Sequence, residues 1–380
     1  MPTLRKIGNI LSYSIIFIFA IIAIVRLYPF NLTLTEILSG AYDDWCMYIN
    51  TALDIKHNGL LISEAKGDYD YPNGFFYSYF IGLCFVIFGE NPIPVYILQS
   101  CLLGITVAIV FWTYRDKMKL KTSIYFIITL FVFALLDVNK YYSFRFLSEN
   151  LVIFTIALFF YCFIKGIENK KTGLLLSSAL FLGLSILTRP NLFPVGVIIF
   201  MAICFWTYKG KIKFSNLFWF LILLFSSVSL LALRNKLVSG NFTFFPVNSF
   251  AFFKAFFFNP DAMLEHIFKK FLFCVGYLPA IVPEFNWRPH WTLMWIIYFA
   301  YLFFRFKEKR KFEIWESVSH IFIFTYFGIL VFVIDMNLLT VYGFRYIIPA
   351  NFVVLVFVFL GLEKIFEIIQ LQFVASSSRR

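Results

Sequence analysis

Charged residues are scarce in this chain. Asp, Glu, Lys and Arg together make up 14% of its 380 residues, where a soluble domain carries about 25%. Hydrophobic residues reach 61%, and mean hydropathy is +0.82. So few polar side chains cannot cover a water-soluble globule, and so apolar a chain is not disordered. Alternation is lacking too. Residues 151–163 (LVIFTIALFFYCF) are apolar without a period of two, which excludes the ~10-residue alternating strands of a membrane barrel. What remains is an all-α integral membrane protein of many helices.

Metal and redox motifs are also missing. The six cysteines, Cys46, Cys84, Cys101, Cys162, Cys204 and Cys274, contain no CxxC. Most fall inside apolar runs, where they read as small apolar residues rather than a disulfide framework. The four histidines include no HExxH, so a zinc centre is not expected. Acidic residues number 21 against 33 basic ones, for a net charge of +12. In a soluble protein that excess would point to nucleic acid. Here the basic residues serve orientation in the membrane, and no aromatic–basic platform lies outside the apolar runs. No nucleic-acid partner is expected.

Basic clusters set the topology. The first apolar run, 10–28, follows Arg5 and Lys6 and lacks a small-residue cleavage site, so it reads as a retained helix with a cytoplasmic N-terminus. The run 93–114 leads into Arg115, Lys117, Lys119 and Lys121, which belong in the cytoplasm. The apolar stretch 75–89 between them is short for a crossing and carries Gly82 and Gly89. If it crossed, that basic cluster would lie outside, so it is expected to be re-entrant or interfacial. The runs 124–136, 151–165, 174–187, 192–208, 214–233, 291–304, 314–334 and 347–369 then alternate. The expectation is a single transmembrane domain over 1–380, a bundle of about 10 transmembrane helices with both termini cytoplasmic. Two sizeable outer loops, 29–92 and 234–290, face the basic inner loops.

Polar chemistry is therefore expected on the outer face. The first loop carries Tyr42-Asp43-Asp44-Trp45-Cys46-Met47-Tyr48, followed by Ile49, Leu53 and Ile55 near helical spacing. The pattern predicts an amphipathic helix over 44–58 lying on the membrane surface, with an acid at its N-terminus. One acid there suits the free amides and the helix dipole, and a second is left for chemistry. Asp137 ends the third crossing and Ser148-Glu149-Asn150 opens the fourth; the ordinary role of Ser148 and Glu149 is capping. Asp335, which ends the ninth, reads as a solvated end residue. Arg145, Arg189, Arg234 and Arg345 lie at outer ends, against the charge bias that orients the chain. Snorkelling to headgroups accounts for Lys254, Lys269 and Lys270. Arginines converging above a bundle would instead bind a phosphate through bidentate bonds.

The order of these segments resembles the GT-C superfamily of polytopic glycosyltransferases, which includes protein mannosyltransferases and the aminoarabinose transferases of lipid A. The likeness is carried by Asp44-Trp-Cys-Met-Tyr48 after the first span and by Tyr71-Pro72-Asn73-Gly74-Phe75 running to Phe88-Gly89. It is carried further by Gly183-Leu-Ser-Ile-Leu-Thr188-Arg189-Pro190, by Arg234-Asn235 with Gly240-Asn-Phe, and by Arg345-Tyr346 with Pro349. The chain departs from the family pattern in having Asp43-Asp44 where the acid pair often includes Glu, and Asn73 where a second Pro is usual. The resemblance implies interfacial juxtamembrane helices in the first outer loop. It also implies inverting transfer of a sugar from a polyprenyl-phosphate donor to an acceptor hydroxyl.

That reaction needs a base for the hydroxyl and positive charge for the leaving phosphate. The resemblance assigns Asp44, with Asp43 beside it, as base. It assigns Arg189, Arg234 and Arg345 to the donor phosphate, and Asp137, Glu149, Arg145 and Tyr71 to the sugar or acceptor pocket. No metal or other cofactor is expected, since arginines can carry the charge of a monophosphate donor. The expected partners are the lipid-linked sugar, membrane lipids and a glycan or lipid acceptor such as lipopolysaccharide O-antigen. The expected setting is a bacterial inner membrane, with the site on the periplasmic side. Two rivals share the helix count. A lipid-linked sugar transporter would place polar residues near the bilayer midplane, in repeated halves, and no internal repeat is apparent here. An O-antigen ligase or polymerase would rely on a late outer loop such as 234–290.

Overall fold

The computed structural model describes residues 2–27, 44–59, 75–139, 143–239, 260–281, 283, 286–309, 311–333 and 343–377. Among the described residues all regular structure is helical. In chain order the helices are α1 (Pro2–Leu27), α2 (Asp44–Asn58), α3 (Phe75–Phe88), α4 (Pro92–Tyr114) and α5 (Leu120–Phe133). Then come α6 (Glu149–Glu168), α7 (Thr172–Thr188), α8 (Phe193–Tyr208) and α9 (Phe214–Ser239). The last four are α10 (Pro260–Cys274), α11 (Pro289–Lys307), α12 (Ile314–Gly328) and α13 (Ile348–Ser377). Each expected run overlaps a helix, but among the described residues fewer than the ten expected crossings are long and apolar enough to span a membrane. Six of these segments are long and apolar enough to cross a membrane: Gly8–Leu27, Pro92–Lys117, Leu120–Asn139, Glu149–Glu168, Pro190–Tyr208 and Ile314–Phe332. Phe76–Phe88, Thr172–Thr188 and Phe214–Leu230 are shorter apolar helices.

Local chemistry sets the boundaries that matter for the site. The α3–α4 turn uses Gly89 at φ +74°, a backbone region open to glycine. Asn91 Oδ1 then accepts from the Ile93 amide at 3.0 Å, and Pro92 opens α4, where a missing N–H is harmless. α7 stops at Thr188 because Pro190 forbids helical backbone in the residue before it. Arg189 is accordingly extended, at φ −141° and ψ 99°. A short 3₁₀ turn, Pro190–Leu192, leads into α8. α5 ends in a π-helical turn, Ala134–Asn139.

The chain divides into two compact units, Met1–Thr113 with Phe131–Val247, and Tyr114–Leu130 with Asn248–Arg380. In the first, α6 packs along α7, α7 along α9, and α2 along α3, while α3 also touches α7. Gly183 lets α7 approach α9: a Cβ there would overlap the Ser227 side chain. Its helix ends are sorted by charge. The α6–α7 and α8–α9 turns carry Lys170, Lys171, Lys209, Lys211 and Lys213. The 143–149 segment and the Arg189 turn lie one helix length away along α6, α7 and α8. Along α1, Phe17 and Val25 are among the exposed apolar side chains, as a lipid-facing surface requires.

In the second unit α11 packs along α13, and α12 also rests on α13. A buried polar group ties α11 to α12. Glu316 accepts from Tyr301 Oη at 2.6 Å and from Arg305 Nη2 at 2.7 Å. His320 Nδ1 lies 2.9 Å from Tyr298 Oη. Glu313 and Glu316 form a capping box at the start of α12. α10 was not foreseen within the 234–290 loop. It packs on the π-helical turn Ile329–Val333 that follows α12. This corrects the reading of Lys270, which is fully buried rather than snorkelling. Lys269 instead pairs with Glu265, and Lys254 lies outside the described residues.

Candidate active site

The polar side chains of the first unit gather at one end, where α4 and α6 begin and α5 and α7 end. α2 starts at Asp44. One turn later its Tyr48 is buried against Tyr77 of α3, with ring centroids 4.9 Å apart and planes at 89°, an edge-to-face pair. Gly82 of α3 admits the other helix closely, for a Cβ there would stand 3.3 Å from the Ala52 carbonyl. Tyr48, Ile49, Ala52, Tyr77, Ile81, Phe85, Tyr96, Phe146 and Leu151 form one apolar cluster. That cluster seats the short α2–α3 pair on α4 and on the 143–149 segment. α3 has 14 residues, about 21 Å of helix against a hydrocarbon core of about 30 Å.

Tyr77 Oη donates to Gln99 Oε1 at 2.8 Å, and Gln99 Nε2 donates to the Arg145 carbonyl at 3.1 Å. Asn150 Nδ2 donates to Ser143 Oγ at 2.7 Å and to the Gln99 carbonyl at 3.2 Å. Ser100 Oγ donates to Asn139 Oδ1 at 3.3 Å. The segment then delivers Ser148 and Glu149 to the Arg189 turn. Arg189 Nη2 donates to Glu149 Oε1, and its Nε lies 3.4 Å from Ser148 Oγ. Glu149 is fully buried and Arg189 nearly so. Ser148 stands at the N-cap of α6, yet its side chain makes no capping bond. The expected capping role of Ser148 and Glu149 therefore gives way to their bonds with Arg189.

The expected site residues do not all come together. Glu149 and Arg189, expected in the pocket and at the phosphate, are found bonded to each other. Asp137 is buried in the π-helical turn, and Arg145 is exposed beside Phe144. Asp44 opens α2, and Arg234 lies near the end of α9, but their side chains are outside the description. Asp43, Tyr71 and Asp335 lie outside the described residues altogether. Arg345 belongs to the second unit, where it is buried in the 3₁₀ turn Gly343–Tyr346 that precedes α13. Its guanidinium lies 5.3 Å from the Tyr346 ring. Among the described residues no group of three or more His, Cys, Asp or Glu could hold a metal ion.

Sequence reasoning missed Tyr77, Gln99, Ser143 and Asn150. It also missed Arg26, whose guanidinium sits 4.8 Å over the Phe144 ring. One signal was available: a lone amide inside an apolar run, which needs partners once buried.

The short α2–α3 helix pair is thus seated on the first unit beside a polar end that carries the buried Glu149 and Arg189. Residues 72–231 match the dolichyl-phosphate-mannose-protein mannosyltransferase family. The match covers less than half of the chain, and it contains α3, the Gln99 network, Glu149 and the Arg189 turn. It supports a GT-C-like polytopic glycosyltransferase. No curated protein and no solved structure matches the chain.

Proposed function

We propose that this protein transfers one sugar, with inversion, from a polyprenyl-phosphate donor to an acceptor hydroxyl of a glycan or lipid at the non-cytoplasmic membrane face. The observation that carries the reading is the seating of α2. Its first residue, Asp44, lies one turn from Tyr48, and Tyr48 rests on the Tyr77–Gln99 network within the family-matched region.

In this reading Asp44, with Asp43 as its neighbour, takes the acceptor proton as the hydroxyl attacks the anomeric carbon from the face opposite the phosphate. The bond from that carbon to the phosphate oxygen breaks, and polyprenyl phosphate leaves. General base action of this kind is worth about 10²–10⁴-fold. Arg189 offers the leaving phosphate hydrogen bonds and Arg234 the balancing charge. Asp137, Glu149, Arg145 and Tyr71 shape the sugar and acceptor pocket, and the prenyl tail lies among the Phe-rich helices. The acceptor we favour is a surface glycan such as lipopolysaccharide O-antigen, in a bacterial inner membrane with the site on the periplasmic side and both termini inside.

The test is purified protein with a radiolabelled polyprenyl-phosphate sugar. Transfer should release polyprenyl phosphate. Asp44→Asn should abolish it while thermal stability and membrane insertion are kept, since amide and acid have similar size. If Asp44→Asn and Asp43→Asn both retain most activity, the base assignment fails. If donor crosses a vesicle membrane intact, the transporter reading replaces this one.

A further inference from the structure

We infer that Gln99 is a positioning residue for the proposed transfer: it sets the Arg145-to-Glu149 segment in register with the helix pair that carries Asp44. The inference rests on the function proposed above and adds to it a residue outside the expected acid and arginine set.

Gln99 lies seven residues into α4, in the apolar run Tyr96-Ile97-Leu98-Gln99, and is fully buried. A buried primary amide offers one acceptor oxygen and two donor hydrogens. Here both ends are used, and they face different elements. Oε1 accepts from Tyr77 of α3 at 2.8 Å. Nε2 donates to the Arg145 carbonyl at 3.1 Å, with the Ser143 carbonyl at 3.5 Å. The Gln99 backbone carbonyl accepts from Asn150 at 3.2 Å, and Asn150 also holds Ser143 Oγ at 2.7 Å. The next residue, Ser100, holds Asn139 at 3.3 Å. Two adjacent residues of one helix thus fix both flanks of the turn between α5 and α6, and one of them reaches across to α3.

A purely structural glutamine would need only to satisfy its own amide. Gln99 does so through groups that carry the proposed site. Tyr77 is the residue against which Tyr48 of α2 rests. The Arg145 carbonyl fixes the backbone from which the exposed Arg145 side chain projects. Three residues further on, Ser148 and Glu149 meet Arg189. Loss of the amide would leave the apolar packing of Tyr96, Phe146 and Leu151 in place and free the two halves of the site to shift relative to each other. Displacement of reacting groups by about 1 Å can cost on the order of 100-fold in rate.

The test uses the full-length protein in detergent or nanodiscs, with donor KM, kcat and thermal stability measured for Gln99→Leu, Gln99→Glu and Tyr77→Phe. Gln99→Leu should lower kcat by about 10–100-fold while donor KM stays within about threefold, since alignment rather than binding is lost. Gln99→Glu supplies the readout that packing alone would not move. Its protonated acid keeps one donor and one acceptor, whereas its carboxylate can only accept and would face the Arg145 and Ser143 carbonyls. Its kcat relative to wild type should therefore rise as pH falls. Around this hub the titratable side chains are Tyr77, Tyr48, Tyr96, Cys84 and Glu149. All are common to both proteins, so the ratio isolates position 99. If a Gln99 variant does not fold, Tyr77→Phe removes one hydroxyl and should lower kcat several-fold at unchanged KM. A flat pH ratio, or wild-type kcat in folded variants, overturns the positioning role and leaves the transferase reading standing. Absence of transfer by the wild type overturns both.

Discussion

The buried pair between Glu149 and Arg189 makes a quantitative prediction. The carboxylate is fully buried and the guanidinium is 8% exposed, so solvent screens neither. Glu149→Ala takes from Arg189 the counter-ion on which its Nη2 rests. Breaking a buried pair by removing one partner costs about 3–5 kcal/mol. At roughly 2–4 °C per kcal/mol for a unit of this size, the expected loss in Tm is about 6–20 °C. Glu149→Gln keeps an oxygen for Arg189 and exchanges a charge-assisted bond for a neutral one, a loss of about 1–2 kcal/mol. Glu149→Leu with Arg189→Leu removes both charges, and apolar replacement of a buried pair is often neutral or stabilising. The double variant should therefore recover most of the Tm while transfer stays lost. Thermal unfolding of the purified protein in one detergent, followed by a thiol-reactive dye or intrinsic fluorescence, measures all four proteins. If Glu149→Ala shifts Tm by less than about 3 °C, or the double variant loses the sum of the single losses, the pair is not what holds this turn.

Other perturbations probe other links. Gly183→Ala puts a methyl group into Ser227 across the α7–α9 contact and should cost about 1–3 kcal/mol; Tm should fall, and Ser227→Gly in the same chain should restore part of it. Glu90 is held below the ordinary carboxylate range, first by its hydrogen bond with Lys56 at 2.7 Å, with His57 at 3.1 Å adding to it. A lowered native pKa gives stability that is fully present above the ordinary value of 4.5 and is lost as pH falls through the native value. The pair is partly exposed, so screening holds its worth to about 0.2–1 kcal/mol. The Tm gap between wild type and Glu90→Gln should therefore be a few degrees at most at pH 7 and close in acid; a gap constant with pH would refute this. On the proposed mechanism transfer should survive EDTA, and restoration by Mg²⁺ or Mn²⁺ after chelation would overturn the assignment of phosphate charge to arginine.

Hydropathy made the helices legible. The run 93–114 becomes α4 at Pro92–Tyr114 and the run 192–208 becomes α8 with its preceding turn, because burial of an apolar helix overrides weaker local signals. The 44–58 pattern returns as α2, and the short 75–89 run as α3, whose 14 residues follow from the Gly89 turn. What the sequence did not disclose is pairing between distant positions. Glu149 and Arg189 each look like a helix-end residue, and only the antiparallel packing of α6 on α7 brings them together. Ser148 carries a capping pattern but spends its hydroxyl on Arg189, since a buried guanidinium demands acceptors more strongly than an amide at a helix start. Lys270 looks like its neighbour Lys269, yet one position along α10 turns it from the exposed side of the helix to the buried one. Gln99 sits in no motif, and its partners Tyr77, Ser143 and Asn150 lie 22, 44 and 51 positions away.

The Glu149–Arg189 pair also bears on how a phosphate's charge is met in the proposed reaction. A guanidinium resting on an ionised carboxylate forms a unit of no net charge. An approaching phosphate gains hydrogen bonds from such a unit but little Coulomb attraction, and it feels the carboxylate as well. Arg189 is thereby suited to fixing the turn that Pro190 creates at the end of α7, with its planar fork aligning rather than supplying charge. Within the proposal the burden of charge then falls on Arg234.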